Sequence, residues 1–320
     1  MTVKLNEKKL LKVRKVWDKL GVWLIVIILF FVLAMTCDNF LTDSNLINVI
    51  RQICVNAIVA LGTTYVILSG EIDLSQGAMA ALIGCECAVL IMHAGINVYL
   101  AILISLLSGV AIGVVIGLIV TYLYVPAFIA TLGMQYILQG CVLLLTNSQP
   151  IPGLPDSFLV LGRGYVGQIP VPTIILFCVF LIGAFGLKYT SFGRDVLATG
   201  ENQVTAKLSG IEVKKTKIMV FAIAGAMSAL GGIILTARLS SGQPSSASDL
   251  SLQALAAVFI GGTGDGSVIS TLAGALIIGL INNGLNLLEV NAYWQKIALG
   301  VIIVGAIALD AFRSSQSASK

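Results

Sequence analysis

The stretch "VNAIVALGTTYVILSGEIDLSQG" (residues 55–77) decides the fold. Residues 55–70 carry no charge, and the run then breaks at "SGEIDLSQGA" (69–78) before another apolar run begins. A helix needs roughly 20 largely apolar residues to cross a bilayer. The break offers Asp73 or Ser75 as a cap for the helix that follows, in a tight capped turn.

The same alternation recurs along the chain, in runs such as "VWLIVIILFFVLAM" (22–35) and "VIIVGAIALD" (301–310). With 58% hydrophobic and 11% charged residues in 320, the chain has more apolar surface than a globular interior can hide. It is expected to be an all-α integral membrane protein of about ten transmembrane helices in a single domain. The spans are expected near 20–37, 47–69, 76–93, 98–122, 127–146, 171–188, 217–238, 250–263, 267–288 and 293–310.

Lysine and arginine set the orientation, because positive flanks near span ends stay cytoplasmic. The tail 1–19 carries Lys4, Lys8, Lys9, Lys12, Arg14, Lys15 and Lys19, and the segment 188–217 with its flanks carries Lys188, Arg194, Lys207, Lys214, Lys215 and Lys217. Ten spans put both segments on one side, together with Arg313 and Lys320, so both termini are expected in the cytoplasm. The loop 147–171 holds only Arg163 and is expected on the opposite side. No small-x-small cleavage site follows Leu33 and "AMTC" (34–37) is a poor lipoprotein signal, so the first span is expected to stay.

Chemistry-bearing motifs are sparse. The nearest approach to a phosphate loop, "GAFGLKYT" (183–190), has Leu187 where the second glycine should stand, so this chain is not expected to hydrolyse ATP. Cys37, Cys54, Cys85, Cys87, Cys141 and Cys178 lack ligand-like spacing and read as buried free thiols. Cys85 and Cys87 flank Glu86, but positions i and i+2 of a helix point to different faces, which discounts a metal site with His93. A catalytic site, metal and resident cofactor are not expected.

Intramembrane polar groups carry what remains. Glu86, mid-span in "LIGCECAVLIM" (82–92), reads as a neutral carboxyl or one hydrogen-bonded to a neighbouring span, with the relay of a proton-coupled carrier as the alternative. Amides are more numerous: Asn56, Gln135, Gln139, Gln253, Asn282, Asn283 and Asn286 lie in apolar segments. They suit a neutral, hydroxylated solute, and they serve equally as glue between helices. Gly109, Gly113 and Gly117 stand four apart and read as a packing seam.

Between the sixth and seventh spans, "KYTSFGRDVLATGENQVTAKLSGIEVKKTK" (188–217) is long enough for two short helices with a turn between them. Gly200 can end one, and Asn202 can cap another running through Val204, Ala206 and Leu208 until Ser209-Gly210 stops it. A transporter without its own ATP site needs such an element, since force from a separate ATPase has to enter through something docked.

"GRDVLATGENQVTAKLSGIEVKKTKI" (193–218) resembles the cytoplasmic coupling segment of permease subunits of bacterial sugar ABC importers, the ribose permease group, related to branched-chain amino-acid permeases. The resemblance extends to residues 55–77, "VPAFIATLGM" (125–134), "RLSSGQPSSA" (238–247), "AAVFIGGT" (256–263) and "NNGLNLLEVNAYWQ" (282–295). It implies a multi-pass protein of the bacterial inner membrane, working as a homodimer or pseudo-dimer. Its partners would be cytoplasmic ATPase subunits, which carry ATP and magnesium, and an extracytoplasmic sugar-binding protein; membrane lipid would surround it, and no nucleic acid is involved.

The resemblance also implies that Gly200, Glu201, Asn202, Ala206, Ser209, Gly210 and Ile211 form the coupling contact. The pathway would run near Asn282, Asn283 and Asn286 and the Ile72-Asp73-Leu74-Ser75 turn, with Asn56 as a further polar position. The chain departs from the group at Glu71 and Gln76, where glycine and valine are usual, and at Ser251, where an acidic residue is usual. It departs again in "GDGSVIS" (264–270) and at Glu86, which takes an apolar position. The departures bear on which sugar is carried. The rival functions are an ion-coupled carrier acting through Glu86 and a membrane enzyme.

Overall fold

The computed structural model describes residues 21–262 and 268–318; the expected tail 1–19 and residues 264–267 of the glycine-rich turn at 264–270 lie outside them. The helices are α1 (Gly21–Thr36), α2 (Asp43–Leu68), α3 (Gln76–Met92), α4 (Val98–Tyr122), α5 (Ala127–Thr146), α6 (Asp156–Arg163), α7 (Val171–Tyr189), α8 (Ser191–Glu201), α9 (Gln203–Leu208), α10 (Val213–Leu239), α11 (Leu250–Gly261), α12 (Val268–Leu287) and α13 (Ala292–Ala318). Four two-residue strands, β1 (Ile151–Pro152), β2 (Tyr165–Val166), β3 (Ile169–Pro170) and β4 (Ser241–Gly242), form the antiparallel pairs β1–β4 and β2–β3.

Among the described residues six helices, α2, α4, α5, α7, α10 and α12, are long and apolar enough to cross a membrane. Shorter apolar helices fill the other four expected positions: Gly21–Thr36, Gln76–Met92, Leu250–Gly261 and Ala292–Gly305 within α13. Three expected boundaries move outward, the second span starting at Asp43, the seventh at Val213, and the helix of the tenth running on to Ala318. The expected span 250–263 is corrected. Its helix has 12 residues, which at 1.5 Å per residue is about 18 Å, well short of a hydrocarbon core roughly 30 Å thick. Gly262 ends it with φ of 88°. Gly261 and Gly274 then let α11 and α12 meet backbone to backbone, at Ser270 and Ala257.

α10 is the axis of the bundle, and its glycines explain why. A methyl on Gly231 would lie 2.7 Å from Val59 Cγ2 of α2, one on Gly232 would meet Ala80 of α3, and one on Gly225 would meet Gly109 of α4. The expected seam on α4 is there: side chains at Gly109, Gly113 and Gly117 would strike Ala229, Phe221 and Ile218 of α10. Lipid supplies no hydrophobic drive for helices to associate, so van der Waals contact at close backbone approach takes its place.

Burial sorts the helices accordingly. In their most apolar windows α2 and α12 are 67% buried, while α7 is 17% buried. Leu33, Phe40 and Val22 of α1 and the segment after it pack against α2 and α12. Cys141 of α5 and Cys178 of α7 are exposed on these outer helices, which corrects the expectation that all six thiols are buried.

Candidate functional site

The segment between α7 and α10 folds as two short helices. Thr190 opens α8, its hydroxyl accepting from the Gly193 N–H at 3.2 Å. Asn202, extended at φ of −160°, then caps α9: its Oδ1 accepts from Val204 N at 2.9 Å and Thr205 N at 3.0 Å. Ser209 closes α9, and Gly210 reverses the chain at φ of 85°. That left-handed conformation favours glycine.

The seven expected coupling residues divide by environment. Glu201, Asn202, Ser209 and Gly210 are exposed, Ala206 is buried and Ile211 is half-buried. Gly200 abuts Leu68 at the end of α2 so closely that any side chain would strike the Leu68 carbonyl. The face of α9 itself is apolar and uncovered, with Val204 70% and Leu208 84% exposed one turn apart. Beside it the Gly210 turn, α8 and the first turn of α10 enclose a cavity of about 520 Å³.

The 69–77 turn touches this segment at two points. Gly70, at φ of 81°, faces Gly200, and Glu71 forms an ion pair with Lys217 in the second turn of α10. Neither Asp73 nor Ser75 caps α3 with its side chain, which corrects that expectation. Instead Asp73 Oδ1 accepts from the Ser75 N–H at 2.8 Å and from its hydroxyl at 2.6 Å, closing the turn before the helix starts. Burial pushes the Asp73 carboxyl above its ordinary range, against the opposing pull of the Ser75 donors. Ser251 accepts from Gly77 N at 2.7 Å and donates to Leu74 O at 2.8 Å, so this hydroxyl ties α11 to the turn.

The expected pathway asparagines do not converge. Asn283 exchanges two amide hydrogen bonds with Asn45, at 2.7 and 3.2 Å, and acts as glue between α12 and α2. Asn286 Oδ1 accepts from Gln295 Nε2 at 3.0 Å, and Asn282 is half-buried. Asn56 is different. It is buried with no partner on either side-chain polar atom, and it lines a second cavity of about 160 Å³ near the far end of α10. Glu86 is half-buried and accepts from the Ser108 hydroxyl of α4 at 2.8 Å.

The loop 147–171 is folded, with α6 and the strands β1, β2 and β3 inside it. Gly162 of α6 presses on the α10 backbone at Ala237 and Arg238, Arg163 Nε donates to Arg238 O at 2.8 Å, and Arg51 donates to Arg163 O. Arg51 also lies over the Tyr165 ring, 4.9 Å from its centroid. This clasp ties α2, α6 and α10 together beside the second cavity.

Residues 45–307 match the family described as branched-chain amino acid transport system / permease component. The chain belongs to this permease family. Among its relatives, the ribose import permease protein of Bacillus subtilis is 40% identical over 316 residues, covering 97% of this chain and 98% of that protein. The ribose import permease protein of Haemophilus influenzae is 42% identical over 89% of this chain and 90% of its own length. The D-allose transport system permease protein of Escherichia coli is 36% identical over 95% of each. No solved structure matches the chain.

Six long apolar helices within this family make the permease a multi-pass membrane protein. Gln52, Arg238 and Asp249, which line the second cavity, and Arg51 of the clasp beside it were absent from the sequence-based site. The available signal was an arginine inside each of two otherwise apolar runs, at 51 and 238. A charge at such a position is placed for a partner.

Proposed function

We propose that the chain is the translocation subunit of an ATP-binding cassette importer for a monosaccharide, first of all a ribose-like pentose. The observation that carries this reading is α9, a capped helix with an uncovered apolar face, which follows α8, packed on the end of α2 at Gly200, and leads into α10. It suits an element that receives force from outside the membrane. The 40–42% identity to ribose import permeases over nearly the whole chain supports the substrate class.

In this reading the permease is a multi-pass protein of the bacterial inner membrane with its N-terminal tail and the segment 188–217 in the cytoplasm, in keeping with the clustered lysines and arginines. α8 and α9 face the cytoplasm and dock on a separate ATPase subunit, which holds ATP and magnesium. Glu201, Asn202, Ser209 and Gly210 lie at the contact, Gly200 and Ala206 hold the helices in place, and Ile211 lines the cavity beside them. A sugar-binding protein delivers solute to the opposite face, and a second copy of the permease completes the pathway. Closure of the ATPase pair pulls α9, and the Gly200–Leu68 contact and the Lys217–Glu71 pair pass that movement to α2, α10 and the 69–77 turn. The bundle then switches between two access states.

The test is ATPase activity of the permease reconstituted with its ATPase and binding protein, with and without ribose, xylose and allose, in wild type and Gly210→Trp. Sugar-stimulated hydrolysis that disappears in an assembled Gly210→Trp complex supports the reading. Hydrolysis indifferent to sugar and to the substitution overturns it.

A further inference from the structure

Asn56 is 3% exposed, and neither its Nδ2 nor its Oδ1 has a hydrogen-bond partner. A buried polar group left in this state costs about 1–3 kcal/mol, and an apolar residue of similar size would fill the same space in α2 without that cost. The amide opens onto the cavity near the far end of α10. Gln52 stands one helical turn before it on the same face, Gln253 comes from α11, Arg238 from α10, and Asp249 lies at the start of α11.

Each amide both donates and accepts, as a sugar hydroxyl does. Arg238 adds donors only, and the Asp249 carboxylate, 4.0 Å from Lys296 Nζ, adds acceptors, so the lining itself carries one charge of each sign beside its amides. An anion would meet Asp249, and a cation would meet Arg238. Val55, Leu235 and Leu250 supply an apolar wall for the C–H face of a ring. The cavity, about 160 Å³, has room for several waters and is in the size class of one monosaccharide ring.

We infer that this cavity is a sugar-holding site within the permease, with Asn56, Gln52 and Gln253 as its hydroxyl-recognising groups. The inference rests on the importer reading above and adds a selectivity site of the permease's own. Its walls come from α2, α10, α11 and the segment 246–249 that leads into α11. α2 and α10 are the helices whose other ends contact α8 and the 69–77 turn, so movement at the coupling segment changes the shape of the site.

The experiment is ATP-driven uptake of radiolabelled ribose, xylose and allose into proteoliposomes holding the complete importer, with Asn56→Leu and Gln253→Leu. Thermal unfolding midpoints of the assembled complexes are measured alongside. Each variant is expected to lose about tenfold in uptake, the scale of one to two lost hydrogen bonds to a neutral solute, and to alter the ranking of the three sugars. Asn56→Leu is expected to raise the unfolding midpoint while lowering uptake, a combination that a purely structural asparagine does not give.

Wild-type uptake and ranking in Gln253→Leu, which is half-buried and tolerates the change, would overturn the site. A lowered midpoint in Asn56→Leu, with uptake falling only in step with assembly, would overturn the role of Asn56. A wild-type importer that moves none of the three sugars with ATP would overturn the importer reading itself, and the sugar site with it.

Discussion

Lys217, in the second turn of α10, is ion-paired with Glu71, in the turn joining α2 to α3, and both side chains are nearly buried, at 10% and 14% exposure. The pair joins two segments 146 residues apart in sequence. Taking two charges out of water is costly, and the pair offsets that cost only while both members are present. Lys217→Met alone is therefore expected to destabilise by about 3–5 kcal/mol, while Glu71→Leu with Lys217→Met recovers most of the loss. Thermal unfolding of the two variants in detergent checks this. Equal midpoints would mean that the pair does not act as a unit.

Gly200→Ala places a methyl against the Leu68 carbonyl, where neither backbone can yield without moving a helix end. Overpacking of this kind typically costs about 1–3 kcal/mol. Here the strain falls on the joint between α8 and α2. The expected outcome is a folded permease whose ATPase partner still binds but whose sugar-stimulated uptake is lost. Co-purification and uptake, measured on the same preparation, separate the two effects.

Asn45 and Asn283 exchange two amide hydrogen bonds across 238 residues of sequence. Measured couplings of this type within a membrane average about 0.6 kcal/mol and reach about 1.7. A double-mutant cycle with Asn45→Leu and Asn283→Leu is expected to give a coupling in that range, with uptake per folded complex unchanged. A coupling of zero would remove the glue role.

Asp73 lies in the turn before α3, fully buried, with its carboxyl raised above the ordinary value of 3.8 chiefly by desolvation. A carboxyl raised in the folded state favours folding when protonated, and that contribution is lost as pH rises through the folded value. Asp73→Asn keeps an acceptor for Ser75 without the charge. It is expected to raise the unfolding midpoint at neutral pH and to match wild type below the ordinary carboxylate value. Midpoints measured across that pH range test the sign.

Glu86 meets the Ser108 hydroxyl at 2.8 Å, a partner that satisfies the carboxyl as part of the α3–α4 contact. Glu86→Gln preserves that hydrogen bond and is expected to leave ATP-driven uptake at its wild-type level, with no dependence on a proton gradient. Uptake that collapses in Glu86→Gln, and that in wild type follows the gradient instead of ATP, would restore the ion-coupled reading.

Much of the helical framework was legible because its causes are local. Apolar runs between polar breaks located the helices, Asn202 and Gly210 bounded α9, and the four-residue spacing of Gly109, Gly113 and Gly117 marked the face that meets α10. The position of α11 was legible too, the expected run 250–263 meeting a helix at Leu250–Gly261, while the backbone-to-backbone packing of α11 on α12 at Gly261 and Gly274 was not.

The sequence by itself determined that this chain is a helical membrane protein with a capped, glycine-stopped helix pair between two of its helices. Hydropathy, periodicity and capping act over a few residues and can be read in order. Only the tertiary structure decided which amides are occupied and which are open. Asn283 and Asn56 look alike in an apolar run, yet one meets Asn45 from the start of α2 and the other meets nothing. Partners that far apart are set by how helices pack, and a chain read in order does not contain that packing.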